Sequence, residues 1–108
     1  MEFKQLRTFV EVAHQGGFTQ AAKCLHLSQS AVSKQVAQLE HSLGTQLFDR
    51  LGSHVRLTAA GKVVVQRAEG MLRLHNELLN ELDDLSQLTR GELKLGLPLL
   101  GSDALFAS

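Results

Sequence analysis

The 108-residue chain contains a single cysteine, Cys24. One thiol cannot build an internal disulfide framework, so the fold must rest on noncovalent packing, as suits a reducing cytosol. Long apolar runs are missing as well. No stretch approaches the roughly 18 consecutive apolar residues of a membrane span, and Met1-Glu2-Phe3-Lys4 lacks the apolar heart of a signal peptide. The expected location is the cytoplasm, with no membrane partner. Net charge is also absent, because eleven Lys and Arg balance eleven Asp and Glu. That balance argues against a protein that coats nucleic acid by bulk positive charge. Catalytic equipment is equally scarce. Cys24 has no evident partner, the histidines at 14, 26, 41, 54 and 75 never recur at i, i+4, and no glycine-rich phosphate loop follows a strand. No enzyme, metal site or resident cofactor is expected. Internal repeats and low-complexity tracts are missing too.

What is present is an ordinary globular composition, 44% apolar and 20% charged, with room for about one domain. A compact unit of about 60 residues buries only about 60% of its unfolded surface, so it would gain from a partner subunit. Charge is tilted along the chain. Residues 1–60 carry six Lys and Arg against four Asp and Glu, and residues 61–108 carry five against seven.

Leu6, Phe9, Val10 and Ala13 recur at helical spacing from Phe3 onward, and Gly16-Gly17 supplies a stop. Thr19 is the expected N-cap of a short second helix striped by Ala21, Ala22 and Leu25, whose adjacent alanines suit close packing. Ser28 is the expected N-cap of a third helix that Gly44 ends, with Val32, Val36, Leu39 and Leu43 as its core stripe. At 100° per residue, Ser30, Lys34, Ala37 and His41 project the other way, flanked by Ser33 and Gln38. This outward face is small, polar and nearly free of acid. Only about three residues join the second and third helices, the sharp corner of a helix-turn-helix.

Leu47 to Leu51 and His54 to Leu57 flank Gly52-Ser53 and are expected to pair as a β-hairpin, a wing. Thr58 then caps a fourth helix of about 30 residues, which Gly61 and Gly70 weaken slightly. Val64, Ala68, Met71, His75, Leu78, Leu82 and Leu85 alternate spacings of four and three along it, and Leu72 and Leu79 widen the stripe. Such a seam needs a second helix, most simply the same one from another subunit, with His75 as a polar register-setter. Thr89-Arg90-Gly91 is expected to break the helix, and Glu92 to Leu97 alternates like a half-buried strand before Pro98.

The fold class is thus mainly α: a winged helix-turn-helix over residues 1–58, with the helix-turn-helix at about 18–37, then a dimerisation helix over 59–88. Residues 89–108 read as the start of a truncated second domain.

Phe18-Thr19-Gln20-Ala21-Ala22, Ser28-Gln29-Ser30-Ala31-Val32-Ser33-Lys34-Gln35, Leu39-Glu40, Leu43-Gly44, Leu47-Phe48-Asp49-Arg50 and Leu57-Thr58-Ala59-Ala60-Gly61 together resemble the N-terminal signature of LysR-type transcription regulators. The resemblance runs over residues 1–61 without gaps. It implies sequence-specific binding of double-stranded DNA, a homodimer or, at full length, a tetramer, and a C-terminal effector domain that takes a small-molecule co-inducer. Ser102 would lie near the edge of that effector site.

The resemblance also puts the third helix in the major groove. There Gln29 suits a bidentate contact to adenine, Ser30 and Ser33 let the backbone approach, and Lys34 reaches guanine or phosphate. Gln38 is a further candidate on the same face. Thr19 would meet phosphate through a helix N-terminus. Arg50 and Arg56 flank the wing, where two roles stay open: phosphate contact, or surface pairing with Glu40 or Asp49. Two positions depart from the family. Ser30 stands where proline is frequent and adds a hydroxyl. Ser53, followed by His54, stands where an arginine commonly reads the minor groove, which leaves minor-groove reading by this wing an open question. Two-fold symmetry makes the expected target an interrupted palindrome. Two rival readings are a winged-helix DNA binder of another family and a coiled-coil interaction module.

Overall fold

The protein was analysed as a computed structural model that describes residues 1–51 and 54–95, with the side chains of all of these except 51 and 89–95. Six elements follow in order: α1 (Phe3–Gln15), α2 (Phe18–Leu25), α3 (Gln29–Leu43), β1 (Phe48–Leu51), β2 (His54–Leu57) and α4 (Ala59–Leu95). The chain divides into two compact units, Met1–Leu72 and Arg73–Ser108. The first turns of α4 therefore belong with the winged unit.

Local chemistry explains most boundaries. The Gln5 side chain accepts from the Glu2 N–H at 3.3 Å and closes the start of α1. Gly16 (φ 77°) and Gly44 (φ 72°) end α1 and α3 in the left-handed region that a side chain disfavours. Ser28 caps α3, its Oγ accepting from Ala31 N at 3.1 Å.

The start of α2 differs from expectation. Gly17, not Thr19, is its N-cap, and Phe18 is the first helical residue. Tertiary packing outweighs the capping preference here. Phe18 sits edge-on to Phe48 with centroids 5.9 Å apart, and Phe48 in turn lies 5.2 Å from Phe9.

The core of the first unit is built on Phe9, Val12, Val32, Val36, Leu39 and Leu47, all fully buried. Each such side chain contributes roughly 1.5–3 kcal/mol of transfer free energy. Ala21 and Ala22 are buried with them, as their small size suggested. Leu43, expected to complete the α3 stripe, is instead exposed. It sits in the last turn and lines an apolar groove with Met1, Leu6, Val63, Val64, Ala68 and Met71.

β1 and β2 pair antiparallel in the register Phe48↔Leu57, Asp49↔Arg56, Arg50↔Val55 and Leu51↔His54. This is the expected wing. Its Gly52-Ser53 turn lies outside the described residues. Thr58 joins wing to helix: its Oγ1 donates to the Gln46 carbonyl at 2.7 Å and accepts from Gly61 N at 2.9 Å.

α4 contradicts the expected break at Thr89-Arg90-Gly91, because its backbone stays helical to Leu95. One glycine costs a helix only about 1 kcal/mol relative to alanine, too little to end a helix that nothing else caps. Residues 92–95 are consequently helix rather than strand. The rest of the expected second domain lies outside the described residues.

Candidate nucleic-acid interface

Ser28 and Gly44 fix both ends of α3, and Val32, Val36 and Leu39 press one side of it into the core. The opposite side is thereby turned out. Gln29, Ser30, Lys34, Ala37, Gln38 and His41 are exposed, and Ser33 is half-buried. Gln29, Ser30, Ser33, Lys34 and Ala37 line one shallow concavity along the helix. The Ser30 hydroxyl lies 3.2 Å from that of Ser28, so the capping residue also holds the side chain at the position where the family often has proline.

A second, deeper cleft adjoins the first through Gln29 and Ser33. The start of α2 (Gly17, Phe18, Thr19, Gln20), the end of α1 (Gln15, Gly16) and the wing (Arg50, His54, Val55) complete its walls. Six of the residues singled out in the sequence therefore meet on one surface with Lys34: Thr19, Gln29, Ser30, Ser33, Arg50 and His54. Among the described residues, none that lines either concavity is acidic. The N-terminal residues of α2, Gly17 to Gln20, line one end of this surface.

Arg50 is held in a way that neither sequence alternative foresaw. Its guanidinium lies over the Phe18 ring, 4.8 Å from the centroid. Glu40, considered as its partner, is engaged elsewhere: its Oε2 accepts from Leu47 N at 2.8 Å and Phe48 N at 3.4 Å. Arg56 is not brought to the cleft. It is the register partner of Asp49 and lines neither concavity. Gln38 also stands apart, its Oε1 accepting from Gln5 Nε2 at 3.4 Å. Ser53 is outside the described residues.

Sequence reasoning passed over Phe18 as a platform, Gln20 as a cleft residue, and Gln35. Gln35 had a legible signal, since it falls on the buried side of α3 beside Val32, Val36 and Leu39.

The seam expected on α4 divides in two. Ala68 is buried, and Val64 and Leu72 pack on the core of the first unit, so their apolar character is satisfied within the chain. Met71, Leu78, Leu79 and Leu82 are exposed, while His75 and Leu85 are half-buried. Among the described residues no helix is long and apolar enough to cross a membrane, and no cluster of metal-ligating side chains occurs.

The chain is 42% identical over 95 residues to an uncharacterized HTH-type transcriptional regulator from Azotobacter vinelandii, covering 88% of this chain and 66% of the relative. It is equally similar, 42% over 95 residues, to the RuBisCO operon transcriptional regulator of Allochromatium vinosum, covering 88% of this chain and 32% of that one. The chain thus spans between about a third and two thirds of the length of these relatives. Among solved structures, the DNA-binding domain of CbnR in complex with DNA superposes with a TM-score of 0.75 at 36% identity, covering 80% of this chain and 99% of that one. The DNA-binding domain of BenM with catB site 1 DNA gives 0.77 at 32%, covering 80% and 96%. A sequence model described as "Bacterial regulatory helix-turn-helix protein, lysR family" matches residues 3–62. With that match over more than half its length, and with a winged helix-turn-helix to bear it out, the chain belongs to the lysR family of bacterial regulatory proteins.

Proposed function

We propose that this chain binds double-stranded DNA sequence-specifically as part of a transcription regulator. One observation carries the reading: the exposed side of α3, the start of α2 and the wing form one connected, acid-free surface. α3 lies in the major groove, where Gln29, Ser33 and Lys34 offer donors and acceptors at the spacing of base edges. Ser30 adds a hydroxyl for base or phosphate. Thr19 and Arg50 take phosphates on either side of the cleft, and His54 approaches the backbone from the wing. Arg56, away from the cleft, adds sequence-blind attraction. The DNA complexes of CbnR and BenM, both over 30% identical, support this assignment.

The working form is a homodimer joined through the exposed stripe of α4. Charge along this helix favours antiparallel pairing. Lys62, Arg67 and Arg73 outnumber Glu69 in its first part, whereas Glu77, Glu81, Asp83 and Asp84 follow with no Lys or Arg before Arg90. Two such helices attract when reversed and repel when aligned. The dimer presents two copies of α3 to half-sites related by inversion, so the operator is an interrupted palindrome. The regulating ligand in this reading is a small-molecule co-inducer. The place of action is the cytoplasm.

Binding titrations on cognate and scrambled duplexes at several salt concentrations test the division of labour. Gln29→Ala is expected to lose about 1–3 kcal/mol of discrimination at one base position. Arg56→Ala is expected to weaken all duplexes alike and flatten the salt dependence by about one charge. Equal losses on both duplexes for both variants would overturn the assignment.

A further inference from the structure

Two polar rungs connect α1 to α3, one buried behind the helix and one at its more exposed edge. Thr8 Oγ1 donates to Gln35 Oε1, and both residues are buried. One helical turn along, Gln5 Nε2 donates to Gln38 Oε1 at 3.4 Å, while Gln5 Oε1 accepts from Glu2 N–H. The pairs 8 with 35 and 5 with 38 advance in opposite directions along the two helices. A slip of one turn would break both.

Stability alone does not explain a buried hydroxyl–carboxamide pair. Two apolar groups of the same shape are commonly neutral or better in such a place. A directional pair does something that aliphatic packing does not. The fully buried contacts of α3 are Val32, Val36 and Leu39, all aliphatic, and apolar burial is non-directional, so it does not by itself fix the rotation of the helix about its axis. Side-chain tips lie about 5–6 Å from a helix axis, so a turn of about 20° carries them about 2 Å. Good hydrogen bonds vary by only about 0.5 Å in length. That rotation would spoil a bidentate base contact while leaving the core apolar and closed.

Gln35 lies two residues, about 200°, around α3 from Ser33. We propose that the Thr8–Gln35 pair, seconded by Gln5–Gln38, is a positioning device for sequence readout. It locks the rotation of α3 so that Gln29, Ser33 and Lys34 meet base edges in one register. Thr8 and Gln35 touch no DNA themselves, and discrimination depends on them more than affinity or stability does. The inference rests on α3 being the recognition helix.

The experiment begins with selection of bound sequences from random duplexes by the native 108-residue chain. If no motif emerges, the recognition reading fails before the positioning claim is reached. With a motif in hand, dissociation constants for the selected and a scrambled duplex are compared among the native chain, Thr8→Val/Gln35→Leu and Thr8→Ser. The apolar double variant is expected to melt cooperatively near the native temperature and to bind scrambled DNA as the native chain does. Its ratio of selected to scrambled affinity should fall about tenfold, within the range one base contact supplies. Thr8→Ser keeps the donor and should keep the native ratio. An unchanged ratio in the double variant overturns the proposal. Should that variant fail to fold, Thr8→Val alone carries the same comparison. If cooperative melting is lost there too, the pair is a stability element and the proposal is wrong.

Discussion

The carbonyl of Leu47, the residue before β1, lies directly over Gly61 in the first turn of α4. A Cβ on residue 61 would fall inside the contact radius of that oxygen, and 3.0 Å from both the Leu47 carbonyl carbon and Leu57 Cδ2. The obstacle is backbone, held in place by Thr58 N donating to the same carbonyl at 3.0 Å. Helix propensity alone favours Gly61→Ala by about 1 kcal/mol. The close approach reverses the sign. Gly61→Ala is expected to destabilise the first unit by about 1–3 kcal/mol, as for other overpacked sites. Urea unfolding followed by circular dichroism reads this directly, and a variant as stable as the native chain would refute the packing argument.

Glu40 ties the loop after α3 to the helix itself. Its carboxylate accepts from two successive backbone N–H groups, Leu47 and Phe48, which would otherwise be left unpaired where the chain enters the wing. Glu40→Ala should cost about 2 kcal/mol, the range for hydrogen bonds to a charged group. Glu40→Gln keeps an acceptor oxygen and should cost less. Wing mobility should follow the same order, with amide exchange at residues 47 and 48 fastest in the alanine variant.

What the sequence made legible was local and periodic. Ser28, Gly16 and Gly44 mark helix ends through their own chemistry, and a two-residue gap with glycine fixes the wing register within one hairpin. The outward face of α3 follows from 100° per residue once its buried stripe is known. Long-range contacts were the illegible part. Phe18 opens α2 because Phe48, thirty residues later, receives its ring, and nothing near Thr19 reveals that. Arg50 finds Phe18 rather than a carboxylate for the same reason. On α4 the alternating pattern blurred two destinations, since the apolar residues that complete the winged unit and those left exposed share one spacing. Gly91 does not stop α4, because a glycine ends a helix only where capping geometry favours the end.

His26 ends α2 with φ 57° and ψ 41°, the one non-glycine residue at positive φ among those described. Its N–H closes on Lys23 O at 3.3 Å, and Leu27 N follows onto Ala22 O at 2.9 Å, which forms the corner of the helix-turn-helix. A side chain in this region costs about 1–2 kcal/mol. Glycine removes that strain but loses about 0.5–1 kcal/mol to the greater freedom of its unfolded state. His26→Gly is therefore expected to stabilise the protein by about 0.5–1 kcal/mol and to raise Tm by a few degrees. A lower Tm would mean that the exposed imidazole contributes a contact that outweighs the strain.

The direction of the proposed α4 pairing can be read from two carboxylates. Leu78→Glu/Leu82→Glu places charge on the exposed stripe and should convert dimer to monomer in sedimentation, while the first unit keeps its native thermal transition. Loss of the dimer alone does not distinguish the two orientations. Glu77→Gln/Glu81→Gln does, because its effect has opposite signs in the two arrangements. In antiparallel pairing these carboxylates face the part of the partner helix that carries Lys62, Arg67 and Arg73, so neutralising them removes attraction. The dimer then weakens by about 0.2–1 kcal/mol per pair lost. In parallel pairing they face their own copies, and the same substitution relieves repulsion and tightens the dimer. A dimer dissociation constant that rises in Glu77→Gln/Glu81→Gln at low salt, and approaches the native value near 1 M salt where the screening length is about 3 Å, identifies the antiparallel arrangement. One that falls identifies the parallel arrangement and removes the charge argument made for α4.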